Sequence, residues 1–158
     1  KATLITTSGT YPFDKATGEA VAGMLKKIGI DTTVQAVPFP MYRKLFTAYQ
    51  TERKEPSMFF RGWGLTMDAA YGYRSTSGCA GLWSVSCFKG MDEWNEKAAG
   101  IDDPKEQQAA FEKLTDMMKE EAVHKVFFQM VDAWGYRKNF QFVPRPDETL
   151  YPWEIRPK

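Results

Sequence analysis

The chain has 158 residues, 43% of them hydrophobic and 15% aromatic, which suits one packed domain. Charged residues make up 26% and the formal net charge is +1, so there is no electrostatic footprint for nucleic acid or an anionic membrane. No apolar run approaches the roughly 20 residues of a membrane span.

The sequence opens on Lys1-Ala2-Thr3-Leu4-Ile5, already inside a strand pattern and with neither an initiating Met nor a signal peptide, as expected of a mature fragment or an excised domain. Leu4 to Thr7 predicts a short strand, followed by the polar loop SGTYPFD. Asp14 is placed as the N-cap of a helix running to Ile28, with Ala20, Val21, Met24, Leu25 and Ile28 as its apolar stripe. Lys26 and Lys27 suit the dipole of its last turn, and Gly29 stops it. IDTTVQAV alternates and is β-branched, which predicts a second strand, broken by Pro38 and Pro40. Tyr42, Leu45, Phe46 and Tyr49 recur at helical spacing, predicting a helix over about 40–51. SMFFRGW then reads as a short buried strand.

Residues 66–90 read as irregular, rich in Gly, Ser and aromatics. A short helix opened by Asp92 carries Trp94 and Ala98. The clearest helix starts at the Asp103 cap, with Pro104 in first position and Glu106 completing a capping box, and runs to about Ala122. Phe111, Leu114 and Met118 form its buried stripe. KVFFQMVDAWGYRK predicts one long strand or two short ones, NFQFVP another, and the Pro-rich tail an extended segment. This order argues an α/β layered fold, a mixed sheet flanked by helices.

A catalytic constellation is not visible. The single histidine, His124, lies between a helix end and an apolar stretch, where a structural role is expected. None of the metal-protease, nucleophile-elbow, phosphate-loop or dinucleotide motifs occurs, and no metal-ligand spacing is present, so no cofactor and no metal are expected. Asp92-Glu93, Asp102-Asp103 and Glu120-Glu121 read as caps or solvated surface. What stands out is Trp63, Tyr71, Tyr73, Trp83 and Phe88 in a stretch without clear periodicity. Such aromatics either form a local mini-core or line a binding surface. Gly62 and Gly64 flank Trp63 and permit a sharp turn or close backbone approach to a ligand. Cys79 and Cys87 are either a disulfide closing a short loop, which would imply an oxidising compartment, or two thiols adjacent by chance.

Four segments in series carry a likeness to a known family: AVAGMLKKIGIDTTVQAVPFPMYRKL, MFFRGWG, IDDPKEQQAAFEKLTDMMKEEA after MDEWNEKAAG, and VFFQMVDAWGYRKNFQFVP. Together they cover nearly the whole chain, which resembles the bacterial extracellular solute-binding proteins of family 5, the oligopeptide- and dipeptide-binding components of ABC importers. The resemblance implies that residues 1–158 form the C-terminal lobe of a larger two-lobed, periplasmic-binding-protein-like fold (type II, cluster C). It implies a non-enzymatic protein that encloses a peptide or peptide-like solute between lobes and delivers it to a membrane permease. The implied partners are the solute, an N-terminal lobe and the permease subunits, and the implied location is periplasmic. Some dipeptide-binding relatives carry a disulfide after the Gly-Trp segment, which implies pairing of Cys79 with Cys87.

The implied ligand set is Arg61, Gly62, Trp63, Gly64, Thr66, Asp68 and Tyr71, near the loop Thr7 to Tyr11, with Trp63 packing on the solute and Arg61 either pairing with a ligand carboxylate or serving as a strand-edge surface charge. One departure matters. Peptide-binding relatives place an Asp three residues after the tryptophan, where it pairs with the peptide ammonium; here that position is Thr66, and Asp68 follows two residues later. Either Asp68 takes over, or the ligand lacks a free α-amino group, since a hydroxyl does not neutralise a buried ammonium. Two rival readings are a carbohydrate-binding module stacking sugars on Trp63, Tyr71, Tyr73 and Trp83, and a hydrolase or transferase that uses His124 with residues of another domain.

Overall fold

The computed structural model describes residues 1–53, 56–64 and 68–158. The chain divides into two compact units, Lys1–Trp63 and Gly64–Lys158.

The first unit alternates strand and helix: β1 (Ala2–Thr7), α1 (Asp14–Lys27), β2 (Thr32–Val37), α2 (Phe39–Glu52) and β3 (Ser57–Phe60). Its three strands are parallel, in the order β2-β1-β3, rather than mixed. The register pairs Leu4 with Val34 and Met58, and Ile5 with Gln35 and Phe59. Side chains alternate along a strand, so the face bearing Leu4, Thr6 and Val34 is the one α1 covers. A Cβ on Gly18 of α1 would meet those three side chains at 3.3–3.4 Å, so the glycine is what lets the helix sit this close. The opposite face carries Ile5 and Phe59, and α2 covers it. Phe59 lies edge-on to Phe46 and Tyr42, with centroids 5.0 and 5.9 Å apart. With helices on both faces, β1 is buried along Leu4–Thr7, as central parallel strands are.

Two expectations for α1 are corrected. Asp14 is not the N-cap but the first helical residue; Phe13 holds the N-cap position with φ 60. The apolar stripe is also rotated: Gly18, Val21, Ala22 and Leu25 face inward, while Ala20, Met24 and Ile28 are exposed, Ile28 at 72%. A glycine on the inner face shifts the helix's closest approach there, which a count of apolar residues alone does not reveal.

The second unit is helical: α3 (Ala69–Thr76), α4 (Met91–Ala99) and α5 (Pro104–Glu120), followed by a two-residue antiparallel pair, β4 (Phe140–Gln141) with β5 (Arg156–Pro157). The segment expected to be irregular therefore contains α3. Asp68 caps it, accepting from the Tyr71 N–H at 2.8 Å. Helix α4 opens at Met91 from Gly90, not at Asp92. The Asp103 cap of α5 is as expected, accepting from the N–H groups of Lys105 and Glu106. Met91, Leu114, Met118 and Val123 form the buried core, supported by Tyr73, Cys87, Phe88, Trp94 and Phe111. Residues 125–138, expected as one long strand or two short ones, adopt neither helix nor strand, and NFQFVP contributes only β4. Among the described residues no helix is long and apolar enough to cross a membrane.

Candidate functional site

In an open parallel sheet, a strand order that reverses direction leaves the loops after the two diverging strands running to opposite sides, and ligands bind outside the carboxyl ends at that point. Here the chain moves from β1 outward to β2, then returns past β1 to β3, with α1 and α2 on opposite faces. The reversal lies between β1 and β3. The loops that leave it span residues 8–13 and 61–63; the first overlaps the loop Thr7 to Tyr11 and the second holds Arg61, Gly62 and Trp63, which the sequence reading placed near a ligand.

The first loop is built around one carboxylate. Asp14 is buried and accepts from the Thr7 hydroxyl at 2.9 Å and from the N–H groups of Lys15, Thr10, Tyr11 and Gly9 at 2.7–3.4 Å. Burial works against its charge, but the Thr7 hydroxyl and the Lys15, Tyr11 and Thr10 amides outweigh it and hold the Asp14 carboxyl below its ordinary range. Sequence reading noticed Asp14 only as a cap. The signal was its position after TSGTYPF, where turn residues leave several N–H groups without strand partners.

The second loop meets the first through Gly62, since a Cβ there would lie 2.6 Å from Cε1 of Tyr11. The ring occupies the space a side chain would need, so Gly62 permits close approach, with an aromatic of the same unit as its neighbour. On either side of Gly62, Arg61 and Trp63 stack. The Arg61 guanidinium carbon lies 4.7 Å from the Trp63 ring centroid and 5.8 Å from that of Phe46. Partial burial lowers the Arg61 pKa, partly offset by Tyr42 and Tyr11 nearby. Beneath it, Tyr42 is fully buried, and its hydroxyl has no hydrogen-bond partner among the described residues. Burial raises the pKa of that phenol strongly, so it stays neutral. Trp63 remains 40% exposed.

Arg61, Gly62 and Trp63 thus come together with Tyr11 in the first unit. Gly64, Asp68 and Tyr71 belong to the second unit. Thr66 lies outside the described residues. Asp68 and Tyr71 meet through the α3 cap, and Tyr71 is 52% exposed. Asp68 also lines a cavity of about 510 Å³ with Ala69, Ala70, Ala99, Pro104, Gln107, Gln108 and Phe111. A Cβ on Gly64 would meet only Glu148 Oε2, at 3.8 Å, so side-chain crowding does not demand glycine there.

The remaining residues singled out divide cleanly. Cys79 and Cys87 form a disulfide, which suits an oxidising compartment. Tyr73 stacks on Phe111 and bonds Thr115 through its hydroxyl at 2.6 Å, placing it in the helical core rather than on a platform. His124 is exposed, and its Nδ1 lies 3.1 Å from the Ser77 hydroxyl. Ser77 is fully buried, so its oxygen is not presented to a substrate. Asp92, read as solvated surface, instead accepts the Cys79 N–H through both oxygens, at 3.0 and 3.2 Å. No metal-ligating cluster occurs among the described residues. No family model and no curated protein matches the chain.

Proposed function

We propose that the chain is a solute-binding lobe of an ABC importer, one half of a protein that captures a peptide or peptide-like solute outside the cytoplasm and presents it to a permease. The observation that carries the reading is the strand reversal between β1 and β3, with a rigid Asp14-centred loop on one side and the stacked, part-exposed Arg61–Trp63 pair on the other. An indole face offers apolar area, and a planar guanidinium matches the geometry of a carboxylate. Gly64, Thr66, Asp68 and Tyr71 are proposed as further solute contacts, with Asp68 as an acidic anchor for a positively charged group. A companion lobe supplies the rest of the contacts, so this chain alone binds weakly.

The Cys79–Cys87 disulfide favours the extracytoplasmic setting. The sugar-platform reading is weakened by Tyr73, which is committed to the core, and by the helical content. The test is titration of the chain with a pooled peptide library, read by Trp fluorescence and by mass spectrometry of retained ligands. Weak, saturable binding that Trp63→Ala and Arg61→Ala both abolish supports the reading. Binding unaffected by either variant, or nanomolar affinity without a companion lobe, refutes it.

A further inference from the structure

Residues 123–137, which follow α5, make no helix, turn or bend, so the backbone runs extended. Side chains alternate along such a backbone, and Val126, Phe128, Met130, Trp134 and Tyr136 fall on one side of it, interrupted by Asp132. This is strand composition. Among the described residues, however, no backbone hydrogen bond involves residues 125, 126 or 128–136. Both ends of the segment are anchored. The Val123 carbonyl accepts from the Ser86 hydroxyl at 2.5 Å, and His124 Nδ1 lies 3.1 Å from the Ser77 hydroxyl. At the far end, Trp134 and Tyr136 pack on Phe142 with ring centroids 5.3 and 5.9 Å apart. Between the anchors, Val126, Phe128 and Val131 are 72%, 57% and 94% exposed. A contiguous apolar surface of this kind marks an interaction site. Its unpaired N–H and C=O groups are matched in spacing by one kind of partner, a second extended chain.

Charge decides which chain that is. Lys125 stands at one end of the segment, Arg137 and Lys138 at the other, and Asp132 between them. None of the four has an ion pair among the described residues. Like charges directly opposite one another destabilise a strand pair. An antiparallel second copy centred on Val131 sets Lys125 opposite Arg137 at both ends. A parallel copy in register sets Lys125, Asp132 and Arg137 each opposite itself. A strand with acidic residues at both ends and apolar residues at alternate positions between them meets the basic ends with opposite charge and covers the exposed side chains.

We propose that residues 125–138 bind an extended segment of another polypeptide by strand addition, the incoming strand being apolar at alternate positions and acidic at its ends. The proposal stands apart from the solute-binding reading, which assigns no contact to this segment. The experiment is amide hydrogen exchange of the 15N-labelled chain with a synthetic peptide of alternating Val and Thr, matched in length to residues 126–136 and carrying Glu at both ends. Two control peptides are used: one with Lys at both ends, and one N-methylated at alternate residues, which keeps the side chains and removes backbone donors. Amides of residues 126–136 are expected to exchange fast in the free chain and to slow at least about tenfold with the acid-ended peptide, as paired strand amides do. The Lys-ended peptide binds at least about fivefold more weakly, and the N-methylated one does not bind. Val131→Pro removes an N–H that has no partner among the described residues, at an exposed position, so the fold is kept and affinity falls at least about tenfold. Absence of protection at millimolar peptide, equal protection by either control, or a Val131→Pro chain that binds as the parent does overturns the proposal. So does protection in the free chain that grows with chain concentration, which would make a second copy the occupant.

Discussion

Cutting the Cys79–Cys87 bond has a cost that follows from the chain itself. The two residues are 8 apart in sequence, so the bond closes a short loop. The entropy removed from the unfolded chain by a loop of that length corresponds to about 2.5 kcal/mol at 25 °C. The native loop keeps several restraints without the bond. Trp83 N–H donates to the Ser75 carbonyl at 2.9 Å, the Ser86 hydroxyl to the Val123 carbonyl at 2.5 Å, and Cys79 N–H to Asp92. The folded state should therefore survive reduction, and the loss should appear in the free energy of unfolding. For a chain of 158 residues, about 2.5 kcal/mol lowers the melting temperature by roughly 5–10 °C. The assay is urea and thermal unfolding of the oxidised chain, the reduced chain and the Cys79→Ser/Cys87→Ser variant, with near-UV circular dichroism to confirm native packing. A reduced chain within about 0.5 kcal/mol of the oxidised one would refute the argument that the bond acts on the unfolded state.

Phe46 is buried beneath the sheet, 5.0 Å from Phe59 and 6.1 Å from Tyr42, and Phe46→Ala should cost about 3–5 kcal/mol, measured by denaturant unfolding. Because the Asp14 pKa is lowered on folding, its contribution is present above the ordinary carboxylate range and lost as pH falls through the lower folded value. Asp14→Asn should flatten the acid limb of the stability–pH curve and, by weakening its bonds to the Thr7 hydroxyl and the loop N–H groups, cost about 1–3 kcal/mol near neutral pH. Asp147 is held down to about 2, first by its hydrogen bond with Arg145, so its carbon resonance in a pH titration should move well below that of an ordinary carboxylate, and Arg145→Ala should restore the usual value.

Much of the first unit was legible because its cues are local. Gly29 ends α1, Pro38 and Pro40 end β2 and start α2, and β-branched alternation marks the strands. Strand order was not legible, since it depends on contacts distant in sequence. A mixed sheet was expected because KVFFQMVDAWGYRK has strand composition; among the described residues it joins neither sheet, and Val126, Phe128, Val131 and Tyr136 are exposed. Helix α3 was hidden by its composition, AAYGYRST, whose glycine and β-branched end depress helix propensity. Its Asp68 cap, read as a possible ligand anchor, was the overlooked signal. At the site, Trp63 and Gly62 announced themselves as a large side chain beside none, whereas Tyr11 and Phe46 came to Arg61 through tertiary packing that no spacing rule encodes.

The contact between Gly62 and Tyr11 offers the sharpest test of how the two loops are joined. No positive φ constrains Gly62, so its backbone accepts an L side chain, and only the Tyr11 ring excludes one. In Gly62→Ala the new Cβ would sit 2.6, 2.7 and 3.1 Å from three ring carbons, against an optimum of about 3.5–4.0 Å. The Tyr11 backbone is held to Asp14 at both its N–H and its carbonyl, so the ring must escape by rotating about its own torsions. Moving it off its rotamer costs about 0.5–1.5 kcal/mol. In a Tyr11→Ala background the obstruction is gone, and the same substitution should be neutral, or stabilising by about 0.4–1 kcal/mol through the unfolded chain. The unfolded-chain gain is common to both backgrounds and cancels, so a double-mutant cycle should return a coupling of about 0.5–1.5 kcal/mol. If the two substitutions are instead additive, the ring does not rest on Gly62, and the loop after β1 and the loop after β3 are not joined in the way the solute-binding proposal requires.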